Sequence, residues 1–165
     1  PIHRFIAANN ANDIFYNYLL SGIYSPKASI QTIANAMDVG DPSNFARILD
    51  LYKSSHAEIC NHISGATYSD DEIAATMKKC YEQTGYVLDP HGACGYQALK
   101  DNLKEGETGV FLETAHPAKF KEKVDAILST DIEIPTRLAD FMKGKKQSLE
   151  MAADFSAFKQ FLLSV

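Results

Sequence analysis

The sequence predicts an α/β fold, with a partial parallel sheet in a three-layer arrangement flanked by helices. Three short segments rich in apolar residues, Ile2–Ala8, Tyr86–Leu88 and Val110–Leu112, are typical of buried strands, and helical patterns lie between them. Strands that alternate with helices are joined by right-handed crossovers, which gives a parallel sheet. Three strands are few for a sheet with helices on both faces, so we expect the chain to supply part of a larger sheet.

The first strand, Ile2–Ala8, is followed by a cluster of polar residues and then by a helix. The polar residues are Asn9, Asn10, Asn12 and Asp13. The helix contains Phe15, Tyr18 and Leu19 on one side and is predicted to end near Gly22, because glycine adopts the left-handed conformation that ends helices.

The next predicted helix is long. Ser43 follows Pro42 and is a plausible N-cap, and apolar residues recur along one side from Phe45 to Ile63. We therefore predict one continuous helix over this range.

The segment Ser69-Asp70-Asp71-Glu72 fits a capping box, which predicts a helix that begins there and ends at Gly85. The short strand Tyr86–Leu88 follows. A helix is then predicted from Pro90 to Leu103, with Asp89 as a possible cap.

The segment from Gly109 to Phe120 contains the third strand and the start of a helix. Pro117 is well placed at the first position of a helix that continues through Leu128. Two further helices are predicted over Pro135–Met142 and Asp154–Leu163. If the sheet is partial, residues near its open edge should be exposed, and we expect Phe5, Ile6, Phe111 and Leu112 to lie there.

Composition excludes several classes of function. The 165 residues are 45% apolar, enough for one core, and the net charge of −5 argues against nucleic acid as a partner. No apolar stretch approaches the roughly 20 residues that span a bilayer, so no membrane partner is expected. The three cysteines lack metal-ligand spacing, so no metal site is predicted, and they are typical of reduced thiols in a cytoplasmic protein.

Four ordered blocks resemble those of threonine synthases. They are Arg4–Asp13, with its Asn-x-Asn-Asp pattern; Ala34–Asn44, with Ala-Met-Asp and Pro-Ser-Asn; Asp89–Ala93, with Asp-Pro-His; and Thr114–Phe120, with the sequence Thr-Ala-His-Pro-Ala-Lys-Phe. Asp154-Phe155 also resembles the start of the terminal helix of that family. The blocks cover the chain from Arg4 to about Phe120.

The resemblance implies an enzyme of the tryptophan-synthase-β-like fold, fold type II, that uses pyridoxal 5'-phosphate. It implies conversion of O-phospho-L-homoserine and water into L-threonine and phosphate. Residues 1–165 would form the C-terminal part of the large cofactor-binding domain together with the C-terminal helices. The Schiff-base lysine and the Gly-rich phosphate loop would lie on an N-terminal part outside this chain, so the chain alone is expected to be inactive.

Site residues follow from this resemblance and from the ends of the predicted strands, which meet at one edge of a parallel sheet. Thr114 is implied as the partner of the pyridine nitrogen of the cofactor, and Asn35, Ala36 and Asp89 as further cofactor-binding residues. The implied substrate-binding residues are Asn10, Asn12, Asp13, His116 and Lys119.

These residues also have structural interpretations, and other functions stay open. Thr114 and Asp89 could cap helices, Lys119 could be a solvated lysine, and an Asp89–His91 pair could act in acid–base chemistry or only in structure. The alternatives for the whole protein are another fold-type-II enzyme, such as a serine/threonine dehydratase or a tryptophan-synthase β-like protein, and a non-catalytic binding domain.

Overall fold

The structure is a computed structural model, and it describes residues 2–164. The chain divides into two compact units between Glu133 and Ile134. The first unit contains the sheet and most of the helices. The second contains two short helices.

The sheet has two strands within the described residues, β1 (Phe5–Asn9) and β2 (Ile63–Thr67). They are parallel, with Phe5 opposite Ile63 and Asn9 opposite Thr67, which confirms the predicted parallel sheet. Gly65 in β2 lies close to the helix Ile14–Ser21, which follows β1, because a Cβ atom there would be 2.9 Å from the ring of Tyr16. The glycine therefore lets that helix pack directly on the sheet.

Helix α1 (Ile14–Ser21) begins after the polar cluster and ends as predicted at Gly22, which has a φ of 73°. The chain then runs through an irregular loop that contains a short 3₁₀ turn, Asn35–Met37. This loop returns the chain to the end of β1.

The prediction of one long helix from Phe45 to Ile63 was wrong. The structure has α2 (Phe45–Leu51), α3 (His56–His62) and then strand β2. Lys53 and Ser54 have φ values of 50° and 57°, which no helix tolerates, and the N-cap of α2 is Asn44 rather than Ser43. Ile63 therefore lies in the sheet, where pairing with β1 overrides its helical spacing.

Helices α4 (Asp70–Thr84) and α5 (Pro90–Asn102) begin at the predicted residues. Ser69 and Glu72 form a full capping box, and Gly85 ends α4 with a φ of 73°. Asp89 caps α5 by accepting hydrogen bonds from the backbone of His91 and Gly92.

The predictions of strands at Tyr86–Leu88 and Val110–Leu112 were wrong. Neither segment pairs with another strand among residues 2–164, and a strand requires a hydrogen-bonded neighbour. Residues 109–115 are nevertheless alternately exposed: Val110 and Leu112 are 84% and 76% exposed, whereas Phe111 packs against the core. The prediction that four residues are exposed at an open edge of the sheet is therefore confirmed for Phe5 and Leu112. It was wrong for Ile6 and Phe111, which contact the core.

The main core lies between α4, α5 and the helix α6 (Lys121–Leu128), which follows a 3₁₀ turn at Pro117–Phe120. Its buried side chains include Ile73, Met77, Leu88, Cys94 and Val124. A second cluster of Tyr18, Phe45 and Ile59 joins α1 to α2 and α3. The two clusters hold the loops at the carboxyl end of the sheet in place.

The second unit contains helices α7 (Thr136–Met142) and α8 (Phe155–Ser164), close to their predicted bounds. Several of its apolar side chains are exposed, among them Phe141, Phe155 and Leu163. None of the helices in residues 2–164 is long and apolar enough to cross a membrane.

Candidate functional site

The loop 30–38 is held at the end of β1 by a buried polar network. Asn10 is fully buried, and its amide nitrogen donates to Thr32 Oγ1 at 2.8 Å and to Asp38 Oδ1 at 2.9 Å. The Thr32 hydroxyl donates to the same Asp38 oxygen at 2.7 Å. The carboxylate of Asp38, at the end of the loop, thus accepts hydrogen bonds both from the residue that follows β1 and from the first part of the loop.

Asn12 joins the network from the opposite side. Its side-chain oxygen accepts the backbone N–H of Ile30 at 2.7 Å, and its amide nitrogen donates to the Ile30 carbonyl oxygen at 2.8 Å. Asn10 Oδ1 in turn accepts the backbone N–H of Asn12 at 2.8 Å. The two asparagines therefore connect the sheet end to the beginning of the loop.

Asp13 is the last residue of this polar cluster. Its carboxylate accepts a hydrogen bond from Lys27 Nζ at 2.8 Å. Partial burial opposes ionisation, but hydrogen bonds from Lys27 and Asn17 outweigh that effect and lower the pKa of Asp13. Asp13 is therefore a charged residue at the entrance of the loop.

His91 anchors the other side of the loop. Its Nε2 atom accepts the backbone N–H of Ala36 at 3.0 Å, and its Nδ1 atom lies 2.7 Å from Asp89 Oδ1. Because Nε2 accepts a hydrogen bond, the proton of the neutral ring lies on Nδ1, from which it is donated to Asp89. The histidine thus connects the start of α5 to the 3₁₀ turn Asn35–Met37.

Asp89 is completely buried and accepts several hydrogen bonds. Besides the His91 ring, the backbone N–H groups of His91 and Gly92 donate to Oδ1, at 2.8 and 3.4 Å. Burial raises the pKa of Asp89, but the hydrogen bonds from the side chain and backbone of His91 lead the effects that outweigh it, and the net shift is downward. We infer that Asp89 is ionised.

Glu113 is the second carboxyl group at this point. Its Oε1 atom accepts the backbone N–H of Asp89 at 3.0 Å. Burial is the main reason why its pKa rises to about 7, and the nearby charge of Asp89 adds to the effect. A Cβ atom on Gly92 would lie only 2.1 Å from Glu113 Oε2, so glycine is required for the glutamate to approach.

The residues after Glu113 lead to the 3₁₀ turn. Thr114 is exposed and points away from the core on the same side as Val110 and Leu112. His116, not Thr114, caps the turn, because its Nδ1 atom accepts the backbone N–H of Ala118 at 3.1 Å. Lys119 is exposed, and its neighbour Phe120 packs on the ring of His91 with centroids 4.7 Å apart.

The structure brings together some of the predicted site residues. Ala36 and Asp89 are joined through His91, and Thr114 follows Glu113 directly in the chain. Asn35 is exposed beside Ala36. Asn10 and Asn12 lie at the other end of the same loop, Asp13 is paired with Lys27, and His116 and Lys119 lie on the 3₁₀ turn.

Sequence reasoning missed three residues that hydrogen-bond with the candidate site residues. Thr32 and Asp38 carried no signal of their own, although Asp38 belongs to the Ala-Met-Asp block. Glu113 was assigned no role from the sequence. Its position two residues after Phe111 in an extended segment places it on the inner face, and that alternation could have identified it.

No group of three or more His, Cys, Asp or Glu side chains within residues 2–164 is arranged to hold a metal ion. The side chains near the loop are instead hydroxyl, amide, imidazole and carboxyl groups.

Two protein families match this chain, and together they cover nearly all of it. Residues 1–114 match the family described as pyridoxal-phosphate dependent enzyme, and residues 92–162 match the family described as threonine synthase, C-terminal. The two matches overlap over residues 92–114, which include most of α5 and Glu113.

Individual relatives agree with these families. The chain is 44% identical over 163 residues to threonine synthase of Haemophilus influenzae, with 99% of this chain and 38% of that protein covered. The crystal structure of threonine synthase from Escherichia coli has a TM-score of 0.83 and 40% identity, again covering 99% and 38% of the two chains. A structure of threonine synthase from Brucella melitensis with bound PLP has a TM-score of 0.81 and 28% identity, covering 98% and 40%. The chain thus spans well under half the length of these relatives.

Proposed function

The chain belongs to the family of pyridoxal-phosphate-dependent enzymes, and from this premise we propose that it forms the C-terminal part of a threonine synthase. The whole enzyme would convert O-phospho-L-homoserine and water into L-threonine and phosphate. The observation that carries the proposal is the similarity to threonine synthases over nearly the whole chain, at the level of sequence and of fold.

The residues of the candidate site fit the cofactor. Thr114 offers an exposed hydroxyl group next to Glu113, which contacts the buried Asp89, and Ala36 offers a small side chain on the loop that His91 holds. When bound, pyridoxal phosphate supplies an electron sink for the reacting substrate. We propose that the Thr114 hydroxyl is the hydrogen-bond partner of the pyridine nitrogen and that Asn35 and Ala36 lie against the cofactor ring.

The chain's other residues would position this site and bind the substrate. Asp89 would act through His91, which holds the amide of Ala36. His116 and Lys119 would provide donors and positive charge for the substrate phosphate at the start of the 3₁₀ turn. Asn10, Asn12 and Asp13 would contribute through the loop that they shape at the end of β1.

The remainder of the enzyme would complete the sheet and the site. Phe5, Val110 and Leu112 are more than half exposed, which suits residues that are covered by further strands. The cofactor-holding lysine and the phosphate-binding loop are expected on that remaining part. We therefore propose that the 165-residue chain alone does not catalyse the reaction.

The test is an assay of the protein that contains this chain together with its remaining part, supplied with pyridoxal phosphate and O-phosphohomoserine. Formation of threonine and phosphate in equal amounts is the expected result. Keto-acid formation from serine or threonine, without use of the phosphorylated substrate, would instead identify a dehydratase. A protein that does not bind the cofactor at all would support the non-catalytic alternative.

A further inference from the structure

Two carboxyl oxygens at the start of α5 lack a hydrogen-bond partner although both are buried. They are Asp89 Oδ2 and Glu113 Oε2. The other oxygen of each group is engaged, since Asp89 Oδ1 accepts from His91 and Glu113 Oε1 accepts the backbone N–H of Asp89. Two ionised carboxylates in these positions would repel each other, and each would keep an oxygen removed from water without compensation.

A single proton between the two side chains resolves both problems. Asp89 Oδ1 accepts hydrogen bonds from the ring and backbone of His91, and these favour the ionised form of Asp89. Glu113 accepts one backbone N–H and has no cationic partner among the described residues. The proton therefore belongs on Glu113.

We propose that Glu113 is a positioning residue, whose protonated carboxyl group donates a hydrogen bond to Asp89 and thereby holds His91 on the backbone amide of Ala36. The hydrogen-bonded chain runs from the 109–115 segment through the start of α5 to the 3₁₀ turn Asn35–Met37. It connects three segments that are far apart in sequence. These hydrogen bonds are contacts within this chain, so the proposal does not depend on the proposed reaction.

Gly92 provides independent support from packing. Its missing side chain leaves the space that Glu113 occupies, because a Cβ atom there would lie 2.1 Å from Oε2 and 2.4 Å from the carboxyl carbon. No rotamer change at position 92 could relieve that overlap, since the Cβ position is fixed by the backbone. The start of α5 is therefore shaped to admit the glutamate.

The proposal makes the hydrogen-bonded chain sensitive to pH. The titratable groups that act on the carboxyl pair are His91 and Cys94 of α5 and Tyr86 of the preceding segment. Burial and the charge of Asp89 raise the pKa of Glu113 to about 7, so the proton is lost as the pH rises through that value. Loss of the proton removes the hydrogen bond that Glu113 donates to Asp89. This should weaken the contact between His91 and Ala36.

The experiment follows hydrogen exchange at the Ala36 amide and the imidazole nitrogen shifts of His91 from pH 5.5 to pH 8.5. In the unaltered protein we expect Nδ1 of His91 to carry the proton, and protection of the Ala36 amide to fall roughly tenfold across the range, about one pK unit of coupling. The carboxyl carbon of Glu113, observed with labelled glutamate, should titrate near the middle of the range.

Two variants separate a hydrogen-bond role from simple packing. Glu113→Gln keeps a donor toward Asp89, so Ala36 protection should stay within about twofold of its low-pH value and lose its pH dependence. Glu113→Ala removes the donor, so protection at every pH should lie about tenfold below the low-pH value of the unaltered protein and no longer change with pH. Glu122→Gln, at an exposed position on α6, is the matched control and should change neither readout.

Three results would overturn the proposal. One is a Glu113 carboxyl group that titrates near its usual 4.5. Another is equal Ala36 protection in the Gln and Ala variants at all pH values. The third is a His91 ring that carries its proton on Nε2.

Discussion

The Nε2 atom of His91 accepts the backbone N–H of Ala36 at 3.0 Å, although 55 residues separate them in the sequence. The same ring is fixed from behind by Asp89 Oδ1 at 2.7 Å, and it packs against Phe120. A single imidazole thus holds the loop that follows β1 against the start of α5. The conformation of that loop is set by contacts on both of its sides, since Asn10 and Asn12 hold its first half.

Replacement of Thr114 tests its proposed contact with the pyridine nitrogen. In the whole enzyme, Thr114→Ala should lower kcat by about tenfold, a loss of about 1.4 kcal/mol of transition-state stabilisation, while cofactor retention changes little. The reason is that the Thr114 hydroxyl should affect the electronic properties of the cofactor's pyridine ring, whereas most of the cofactor's binding energy should come from contacts to its phosphate group. Steady-state kinetics and the absorbance of the bound cofactor measure the two effects, and Thr108→Ala, at an exposed position just before the 109–115 segment, is the control. Unchanged kinetics and absorbance for Thr114→Ala would refute the contact.

The buried network around Asn10 should contribute strongly to stability. Asn10→Ala removes the donor to Asp38 and Thr32 and leaves buried polar atoms without partners, which should cost about 3 kcal/mol of unfolding free energy. Asn35→Ala, at an exposed position in the same loop, should cost less than about 0.5 kcal/mol. Urea denaturation measures both. Similar values for the two variants would contradict a structural role for the network.

Two serines were predicted as helix N-caps, and the structure confirms Ser69 but not Ser43. Ser69→Ala removes the capping box of α4 and should cost about 1 kcal/mol of unfolding free energy. Ser43→Ala should cost less than about 0.5 kcal/mol, because α2 is not capped by that side chain. A larger loss at Ser43 than at Ser69 in urea denaturation would show that the helix starts are assigned incorrectly.

The raised pKa of Glu113 predicts how stability changes with pH. Between the usual 4.5 and about 7, the folded state holds a proton on Glu113 that the unfolded state has lost. The contribution of this group is therefore fully present below pH 4.5 and is lost as the pH rises through about 7. Denaturation at a series of pH values should show this fall in the unaltered protein and a smaller fall in Glu113→Gln, with Glu122→Gln as the control. Identical pH profiles for all three proteins would contradict the raised pKa.

The exposed apolar residues of the 109–115 segment predict self-association of the isolated chain. Val110 and Leu112 lie on one face of an extended segment without a paired strand among residues 2–164, so a second copy can pair there. Sedimentation at increasing concentration should show association that is reduced in the double variant Val110→Ser, Leu112→Ser. Leu20→Ser, at an exposed position of α1, should not reduce it. A chain that stays monomeric throughout would refute this prediction.

The sequence alone determined the features that depend on neighbouring residues. The capping box at Ser69, the glycine ends at Gly22 and Gly85, and the proline start of α5 are set by local backbone preferences. The parallel sheet and the enzyme family also followed from patterns along the chain.

Tertiary structure decided the features that need a distant partner. Ile63 lies in a strand because β1 pairs with it, and Val110–Leu112 is not a strand because no neighbour in the described residues pairs with it. The approach of Glu113 to Asp89, through the space left by Gly92, depends on how the 109–115 segment packs along α5. Local sequence determines backbone conformation within a few residues. Strand pairing, and the proton that two carboxyl groups share, depend instead on how segments that are distant in the chain are arranged in space.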